Sequence, residues 1–333
     1  MGKLSGEDLK NLLSCIRKDL RVIVPPMPGY DSGVHLLGDK YVVVATDPCI
    51  NVPNEWFGWL LINYAASDVA LAGARPEFCT INLLAPLWMK PSGFQIIMGQ
   101  VCIAANELNM AIVRGHTGTY NGISKPLGVC TAYGTVAKEK LITPGNAKAG
   151  DVILCTKAVG FETLTNFSLT HDMLAKRLFG AREAEQLRKL VKMESCVNEA
   201  LSLAEIEDIH ALHDATEGGL TTALNEVAEA SNVGFRVEFE DLPITTEMIA
   251  LQKRFGLSLD QVLSASSTGM ILAAVDKEAQ TIAEETLRKQ GIPTSFIGAF
   301  TKSKDRVLMW NGGCTSFPIV ADDPYLKILS SKV

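Results

Sequence analysis

The sequence lacks the short motifs with which many enzymes hold phosphate, dinucleotide or catalytic zinc. It contains no G-x-x-x-x-G-K-[ST] loop, no G-x-G-x-x-G turn opening a helix, no H-E-x-x-H pair and no G-x-S-x-G elbow. A nucleotide could therefore be held here only by a different arrangement of side chains.

The chain also lacks cysteine pairs and an excess of basic residues. No two of the eight cysteines form a C-x-x-C pair, and Cys79, Cys130 and Cys155 lie in apolar, strand-like runs. This pattern predicts reduced core cysteines of an intracellular protein. The formal net charge of −6 argues against a nucleic-acid partner.

The sequence predicts neither a secretory leader nor a membrane-spanning segment. The first ten residues, MGKLSGEDLK, contain no apolar core. The apolar stretch 56–74 contains Asn63 and Asp68, which favours a buried helix over a bilayer span. We therefore expect a cytoplasmic protein without a membrane partner.

The length of 333 residues predicts two domains, which we place at 1–140 and 150–333 around a polar segment at 141–151. Hydrophobic spacing and turn residues predict the following elements: helices at 4–18, 56–73, 93–108, 162–204 and 220–231, and strands at 34–37, 41–47, 77–86, 110–115, 126–136 and 152–157. Strands and helices mix without strict alternation, which predicts an α+β fold.

Three carboxylates interrupt otherwise apolar elements. Asp31 lies in a glycine-bearing loop, Asp47 ends an aliphatic strand and Asp68 lies inside an apolar helix. Carboxylates that converge in apolar surroundings require a cation, and oxygen ligands of this kind suit Mg²⁺. Each residue also has an ordinary explanation, as an Asx-turn residue, a helix N-cap and a buried hydrogen-bonding group respectively. The residues alone leave both interpretations open.

The order of several motifs resembles a known family. The string NYAASDVALAGARP (63–76) resembles the N-x-x-[SN]-D-x-x-x-x-G-A-x-P helix of the aminoimidazole ribonucleotide synthetase (PurM-like) superfamily. Five other strings also match, and all occur along the chain in the order found in that family: PGYDSGV and VVVATDP before this helix, and RGHT, NAKAGD and HDATEGGLTTALNEVAEAS after it. The resemblance is greatest to the hydrogenase-maturation (HypE-like) and AIR synthase-related group, whose members also open with a G-K-[LI] segment.

This resemblance implies a PurM-like two-domain fold and a homodimer. The N-terminal domains would pair in a barrel-like sheet, each with a layered C-terminal α/β domain beside it. The resemblance also implies that ATP and Mg²⁺ bind in a cleft between the domains. Phosphate would then pass to an amide, carbonyl or phosphate oxygen of a small-molecule acceptor.

Site residues follow from the matched positions. The resemblance implies that Asp31, Asp47 and Asp68 hold Mg²⁺ and phosphate. It assigns these further residues to the nucleotide: Lys3, Thr46, Asn63, His116, Thr117, Gly160 and Glu162. His116 stands where some branches have an acidic residue. Because neutral imidazole is a poor Mg²⁺ ligand, we expect it to contact phosphate or to orient the substrate.

The acceptor side is predicted at HDATEGG. Asp214 and Glu217 would share one face if this segment turns into a helix, and the N–H groups of Gly218 and Gly219 could approach an anion. We expect His213, Asp214 and Glu217 to orient the acceptor, with His213 or Glu217 as the base. A role for Glu217 as a helix cap is the alternative.

Two departures from the family pattern keep other functions open. The chain ends YLKILSSKV, without the C-terminal cysteine that carries the substrate in the hydrogenase-maturation proteins, and Gly118 replaces a common glutamate. These departures favour a nucleotide-binding maturation partner with little catalysis of its own. A kinase similar to thiamine-monophosphate kinase is a further alternative.

Overall fold

The computed structural model describes residue 4, residues 6–320 and residues 322–331. Contacts divide the chain into two compact units. The N-terminal unit comprises Cys15–Pro26 and Tyr30–Leu141, and the C-terminal unit comprises Ile142–Val333 with Met27–Gly29 and the described part of Met1–Ser14. Lys3, which the resemblance assigns to the nucleotide, lies outside the described residues.

The N-terminal unit is a six-stranded sheet with two helices. Helix α1 (Gly6–Leu13), which precedes it along the chain, belongs to the C-terminal unit. The elements of the N-terminal unit are β1 (Val22–Val24), β2 (Ser32–Leu37), β3 (Lys40–Cys49), α2 (Phe57–Leu71), β4 (Phe78–Ala85), α3 (Pro91–Glu107), β5 (Ala111–Thr119) and β6 (Leu127–Val136). The strand order is β1-β2-β3-β6-β4-β5, and only the β4–β5 pair is parallel.

Strands β2 and β3 form a hairpin across Gly38-Asp39, a turn sequence typical of hairpins. Leu37 pairs with Lys40, so only Gly38 and Asp39 form the turn. Gly38 has a φ of 63°, a conformation that glycine adopts without a Cβ penalty.

Helix α2 forms the core of the N-terminal unit together with one face of the sheet. Every α2 residue except Tyr64 is buried, and the helix packs against β3, β6 and α3. On β3, the alternate residues Val43, Ala45 and Cys49 are buried under this layer. We call this side of the sheet the helix-covered face and the opposite side the outer face. Because successive side chains alternate, each strand residue can be assigned to one of them.

The C-terminal unit is a seven-stranded sheet covered by helices. Its elements are β7 (Val152–Thr156), α4 (Phe161–Thr170), α5 (Asp172–Phe179), α6 (Ala181–Lys189), α7 (Val197–Ala204), β8 (Ile209–Asp214), α8 (Gly219–Ser231), β9 (Gly234–Glu238), α9 (Thr246–Phe255), α10 (Leu259–Leu263), β10 (Ile271–Val275), α11 (Gln280–Lys289), β11 (Thr294–Thr301), β12 (Arg306–Trp310), β13 (Gly313–Ser316) and α12 (Tyr325–Leu329). The strand order is β13-β12-β9-β11-β7-β10-β8. The mixed order of elements in the two units confirms the α+β class.

The helical patterns expected over 162–204 are confirmed and form four α-helices. The chain turns at His171, adopts a φ of 90° at Gly180, and tightens into a 3-10 segment at Leu190–Glu194. The predicted end of the first helix is wrong. The first helix ends at Leu13, where the Ser14 hydroxyl donates to the Asn11 carbonyl at 2.7 Å.

Two further expectations concern cysteines and membranes. All eight cysteines are free, but Cys15, Cys102 and Cys314 are exposed, so the prediction of core cysteines is wrong for these three. None of the helices in the described ranges is long and apolar enough to cross a membrane.

Candidate functional site

Two of the three candidate magnesium carboxylates lie near one end of the β2–β3 ladder. β2 begins at Ser32, which pairs with Ala45, so Asp31 directly precedes the ladder. Asp47 lies within β3, opposite Cys130. The prediction that the strand ends at Asp47 is wrong, because pairing with β6 carries β3 on to Cys49.

The third carboxylate lies on helix α2. Asp68 is 5% exposed, and Asn63 on the same helix is 1% exposed. The Asn63 amide donates to the Trp59 carbonyl at 2.9 Å, which anchors that side chain within its own helix. Asp47 alternates with Ala45 and Cys49 and therefore faces the side of the sheet that α2 covers. Asp47 and Asp68 thus belong to the same layer.

A buried thiol lies opposite Asp47 in the sheet. A hydrogen bond with the Cys79 thiol, together with burial, raises the pKa of Cys130 far above its ordinary value. Cys130 is therefore held as a neutral thiol. A thiolate nucleophile at this position is disfavoured, since nucleophilic attack requires the deprotonated form.

Thr46 faces away from Asp47. Its hydroxyl lies 2.9 Å from that of Thr131 on β6, and both side chains belong to the outer face. The structure therefore does not bring Thr46 to the side of the sheet that carries Asp47.

His116 and Thr117 lie on the edge strand β5. His116 pairs with Asn82 and Thr117 with Leu83, and the imidazole Nε2 of His116 contacts the Tyr120 hydroxyl. The prediction that this strand ends at Gly115 is wrong, because pairing with β4 extends it to Thr119. Since β6 and β4 lie between β3 and β5, three strand spacings of ~4.8 Å separate His116 from Asp47, roughly 14 Å in total. The two residues are not brought together within the N-terminal unit.

The predicted acceptor segment spans the end of β8 and the start of α8. His213 and Asp214 are the last two residues of β8, and both are buried, whereas Glu217 is exposed. The expected common helical face of Asp214 and Glu217 is wrong, because the helix starts only at Gly219. Gly218 and Gly219 have φ values of 80° and 54°, which favour glycine. A Cβ on Gly219 would also lie 2.5 Å from the Ala265 carbonyl oxygen.

His213 is oriented through both ring nitrogens. Its Nδ1 lies 2.7 Å from the Asp214 carbonyl oxygen, and its Nε2 lies 3.1 Å from a Glu226 carboxylate oxygen on α8. A carbonyl only accepts, so Nδ1 donates to it, and a proton between Nε2 and the Glu226 carboxylate would make the second contact a hydrogen bond. The pair can therefore store a proton. Sequence reasoning missed Glu226, which lies within the matched string HDATEGGLTTALNEVAEAS but was assigned no role there.

The start of α8 binds a carboxylate from the C-terminal segment. Asp323 accepts hydrogen bonds from the Gly218 N–H at 3.1 Å, the Ser266 hydroxyl at 2.6 Å and the Ser266 N–H at 3.3 Å. The Tyr325 N–H donates to the same carboxylate at 2.9 Å. Of the two N–H groups that were expected to approach an anion, that of Gly218 thus donates to a carboxylate of the chain itself, whereas that of Gly219 donates to the Thr216 carbonyl at 2.9 Å.

Gly160 and Glu162 contact the residues that directly follow Ser266. The Gly160 N–H donates to the Ser267 hydroxyl at 2.7 Å, and the buried Glu162 carboxylate accepts from the Thr268 hydroxyl at 2.6 Å. We call residues 264–268 the serine loop, because four of its five residues carry hydroxyls and all are buried. Sequence reasoning missed this loop, although a run of hydroxyl residues directly before a buried strand was the available signal.

Two family models match the chain. The AIR synthase related protein N-terminal domain matches residues 29–136, and the C-terminal domain of the same family matches residues 148–311. Together they cover most of the chain.

Individual proteins and structures agree with this match. A Methanocaldococcus jannaschii protein named for hydrogenase expression and formation is 27% identical over 84% of this chain and 82% of its own length. Carbamoyl dehydratase HypE of Azotobacter vinelandii is 27% identical over 80% of this chain and 76% of its own. A solved structure of the hydrogenase maturation protein HypE in complex with ATP shares the fold, with a TM-score of 0.70, 21% identity, and coverage of 96% of this chain and 91% of that one. With both family domains present in order, the chain belongs to the AIR synthase related family, with the PurM-like fold.

Proposed function

We propose that this protein is an ATP-dependent enzyme that phosphorylates an oxygen of a small acceptor. Asp31, Asp47 and Asp68 would hold Mg²⁺ and, through it, the nucleotide phosphates. The family match and the ATP complex of a structure with the same fold support this proposal. Bound Mg²⁺ would supply neutralisation of the charge on the transferred phosphoryl group.

One observation carries the proposal. A carboxylate, Asp68, is buried on a helix whose other residues are almost all apolar, and this helix packs on the strand face that carries Asp47. Asp47 is half-buried and Asp68 is buried. Carboxylates that approach each other away from water favour positive charge beside them. Their oxygen-only donor set fits Mg²⁺, which prefers such ligands and retains water and phosphate in its remaining positions.

The acceptor would be handled by the C-terminal unit. His213 and Asp214 end a buried strand, and Glu217 lies exposed two residues before α8. We propose that these three residues orient the acceptor and that the His213–Glu226 pair takes up its proton. A carbamoyl group is an acceptor of the proposed class, since carbamoyl dehydratases are among the relatives.

Replacement of Asp68 tests the nucleotide assignment. Asp68→Asn keeps the side-chain volume and removes the charge, so we expect Mg²⁺-dependent ATP turnover to fall about a hundredfold or more while the fold is retained. Asp39→Asn, in the exposed hairpin turn of the same unit, is the matched control and should retain full turnover. Phosphate release would be measured with a panel of carbamoyl, carboxylate and phosphate compounds. Undiminished turnover by a folded Asp68→Asn protein would contradict the assignment.

We also propose that two copies pair through the outer face of the N-terminal sheet. Phe78 is 41% exposed there and stacks on Tyr133 with ring centroids 5.5 Å apart. A partly exposed aromatic pair on an open sheet face favours burial against a second copy. Sedimentation analysis should show a dimer that Phe78→Lys converts to monomer, whereas Trp310→Lys, an exposed aromatic of the C-terminal unit, leaves it intact. A monomeric wild-type chain would contradict the pairing.

A further inference from the structure

Three potential metal ligands meet at one edge of the C-terminal sheet. Asp151 directly precedes β7, His210 is the second residue of β8 and Asp276 directly follows β10. β10 lies between the other two strands and runs antiparallel to both, with Val275 paired to Val152 on one side and to Ile209 on the other. The starts of β7 and β8 and the end of β10 therefore lie side by side at one edge of the sheet.

The distances within this group suit a shared ion. One donor atom from each residue lies within 4.8 Å of the other two. His210 Nδ1 lies 2.9 and 3.0 Å from the two Asp151 carboxylate oxygens. Ligands bound to one ion at about 2.0–2.1 Å stand roughly 3 Å apart, so this spacing already matches adjacent ligand positions.

We propose that Asp151, His210 and Asp276 form a binding site for a divalent transition-metal ion of the Zn²⁺ class. One imidazole nitrogen with two carboxylate oxygens is a donor set that suits zinc better than Mg²⁺ or Ca²⁺, which prefer oxygen alone. The ion would replace the hydrogen that His210 Nδ1 shares with Asp151, and the remaining coordination positions would face solvent on the half-buried Asp276 side.

The backbone holds two of the ligands in place before an ion binds. The Asp151 N–H donates to the Lys148 carbonyl at 3.1 Å, and the Asp151 carbonyl accepts from the Phe300 N–H at 2.9 Å. The Asp276 N–H donates to the Asp208 carbonyl at 3.0 Å, next to the start of β8. Ligands fixed in this way lose little conformational entropy when the ion binds.

An exposed cation lies beside the group. The Lys148 ammonium is 2.8 Å from His210 Nε2, and the Lys148 side chain is exposed. The Lys148 ammonium is therefore a positive charge that already interacts with the His210 ring, which in turn contacts the Asp151 carboxylate. With an ion on Nδ1, Nε2 carries the ring hydrogen and no longer accepts from Lys148, so the exposed lysine turns into solvent at little cost. Lys148 is accordingly a competitor of the metal.

Lys148 gives the sharpest test. If the three residues bind zinc, Lys148→Met removes the competing charge and tightens zinc binding several-fold. If they form only an ion-pair network, the same change removes a partner and leaves no zinc affinity to increase. The two interpretations thus predict different results for one exposed substitution.

Zinc binding would be measured on the full chain, without a histidine tag and without nucleotide. The exposed cysteines would first be alkylated, because free thiols bind zinc. Competition with a fluorescent chelator should give one site, weakened at least tenfold by His210→Gln and by Asp276→Asn, which keeps an acceptor for the Glu278 N–H. Asp208→Asn, an exposed neighbouring acid, is the control and should bind as the wild type does.

Substitution with Co²⁺ should give weak ligand-field bands typical of nitrogen and oxygen ligands, and these should disappear in Asp276→Asn. No saturable zinc site, or unchanged affinity in both ligand variants, would overturn the proposal. Because the assay contains no ATP, its outcome is independent of the turnover test of Asp68.

Discussion

The Asp323 carboxylate accepts the Ser266 hydroxyl at 2.6 Å and the Gly218 N–H at 3.1 Å, and so joins the C-terminal segment to the start of α8. Gly218 and Ser266 belong to different loops, and Asp323 is the shared acceptor between them. A carboxylate at this position also interacts favourably with the positive end of the helix dipole. The loop proposed to orient the acceptor is therefore fixed by Asp323, which lies 105 residues beyond Gly218 along the chain.

We expect Asp323→Ala to destabilise the protein by about 1–3 kcal/mol, because the Gly218 and Ser266 donors lose a half-buried acceptor. Chemical denaturation would measure the change, and hydrogen exchange should accelerate at the first amides of α8. Asp322→Ala is the matched control. Its carboxylate contacts the Gln261 amide at the surface, so its effect should stay within about 0.5 kcal/mol. Equal losses in both variants would contradict a specific role for Asp323.

A buried ion pair joins the end of β7 to helix α7. Lys157 Nζ lies 2.7 Å from Glu199 Oε1, with the two side chains 1% and 4% exposed. The same ammonium donates to the Met193 carbonyl at 2.6 Å and the Gly269 carbonyl at 2.5 Å. Burial raises the pKa of Glu199, and the Lys157 charge opposes that rise.

We expect Lys157→Met to cost about 3–5 kcal/mol, because it leaves the Glu199 carboxyl group and the backbone carbonyls that the ammonium contacts without their cation. Glu199→Gln should restore part of this loss in the double variant, since it removes the uncompensated charge. A thermodynamic cycle from urea denaturation of the four proteins would measure the coupling. Strict additivity of the two single changes would show that the pair does not interact energetically.

Local signals in the sequence predict much of this fold. The Gly38-Asp39 hairpin, the apolar helix α2 and the helix after Gly218-Gly219 depend on neighbouring residues, and all are present. The ends of strands were harder to predict from the sequence, because pairing with strands elsewhere in the chain determines them. β6 extends β3 beyond Asp47, and β4 extends β5 beyond Gly115.

The candidate site divides in the same way. The family motifs point to Asp47, Asp68 and His213 directly. Glu226 contacts His213 across the turn from β8 to α8, and Asp323 contacts Gly218 from a distant segment. The spacing of these residues in the sequence predicts neither contact. His116 and Asp47 are likewise separated by the strand order, since β6 and β4 lie between their strands in the sheet. The order of the strands along the chain does not predict this arrangement.

We expect acid sensitivity from Asp172. Hydrogen bonds from Lys176, and also from Arg188 on α6, lower its pKa below the ordinary value of 3.8. A lowered folded-state pKa contributes stability above the unfolded-state pKa, and this contribution is lost as the pH falls through the folded-state value. Asp172→Asn should therefore lower the urea midpoint at neutral pH and flatten its decline below pH 4. Glu185→Gln, which breaks only a loose surface pair with Lys189 at 3.6 Å, should keep the wild-type pH profile. An unchanged acid limb in Asp172→Asn would contradict this assignment.

The His213–Glu226 contact predicts how the pH dependence of turnover should change. In Glu226→Gln, the amide can donate to Nε2 in place of the shared proton, so the orientation of the ring is kept while the negative charge is removed. An imidazolium then loses its attractive partner, and the neutral imidazole should persist to lower pH. With His213 as the proposed base, the acid limb of the kcat/KM profile should move to lower pH.

Glu226→Ala should instead lower turnover across the whole pH range, because the ring loses its partner on α8. Glu229→Gln lies one turn further along the same helix, where its carboxylate contacts Arg306 at 3.1 Å, and is the matched control. A profile of Glu226→Gln that coincides with that of Glu229→Gln would show that His213 does not take up the proton in the rate-limiting step. Glu217, the exposed alternative, would then be the base to test, since it is the other candidate in the same turn.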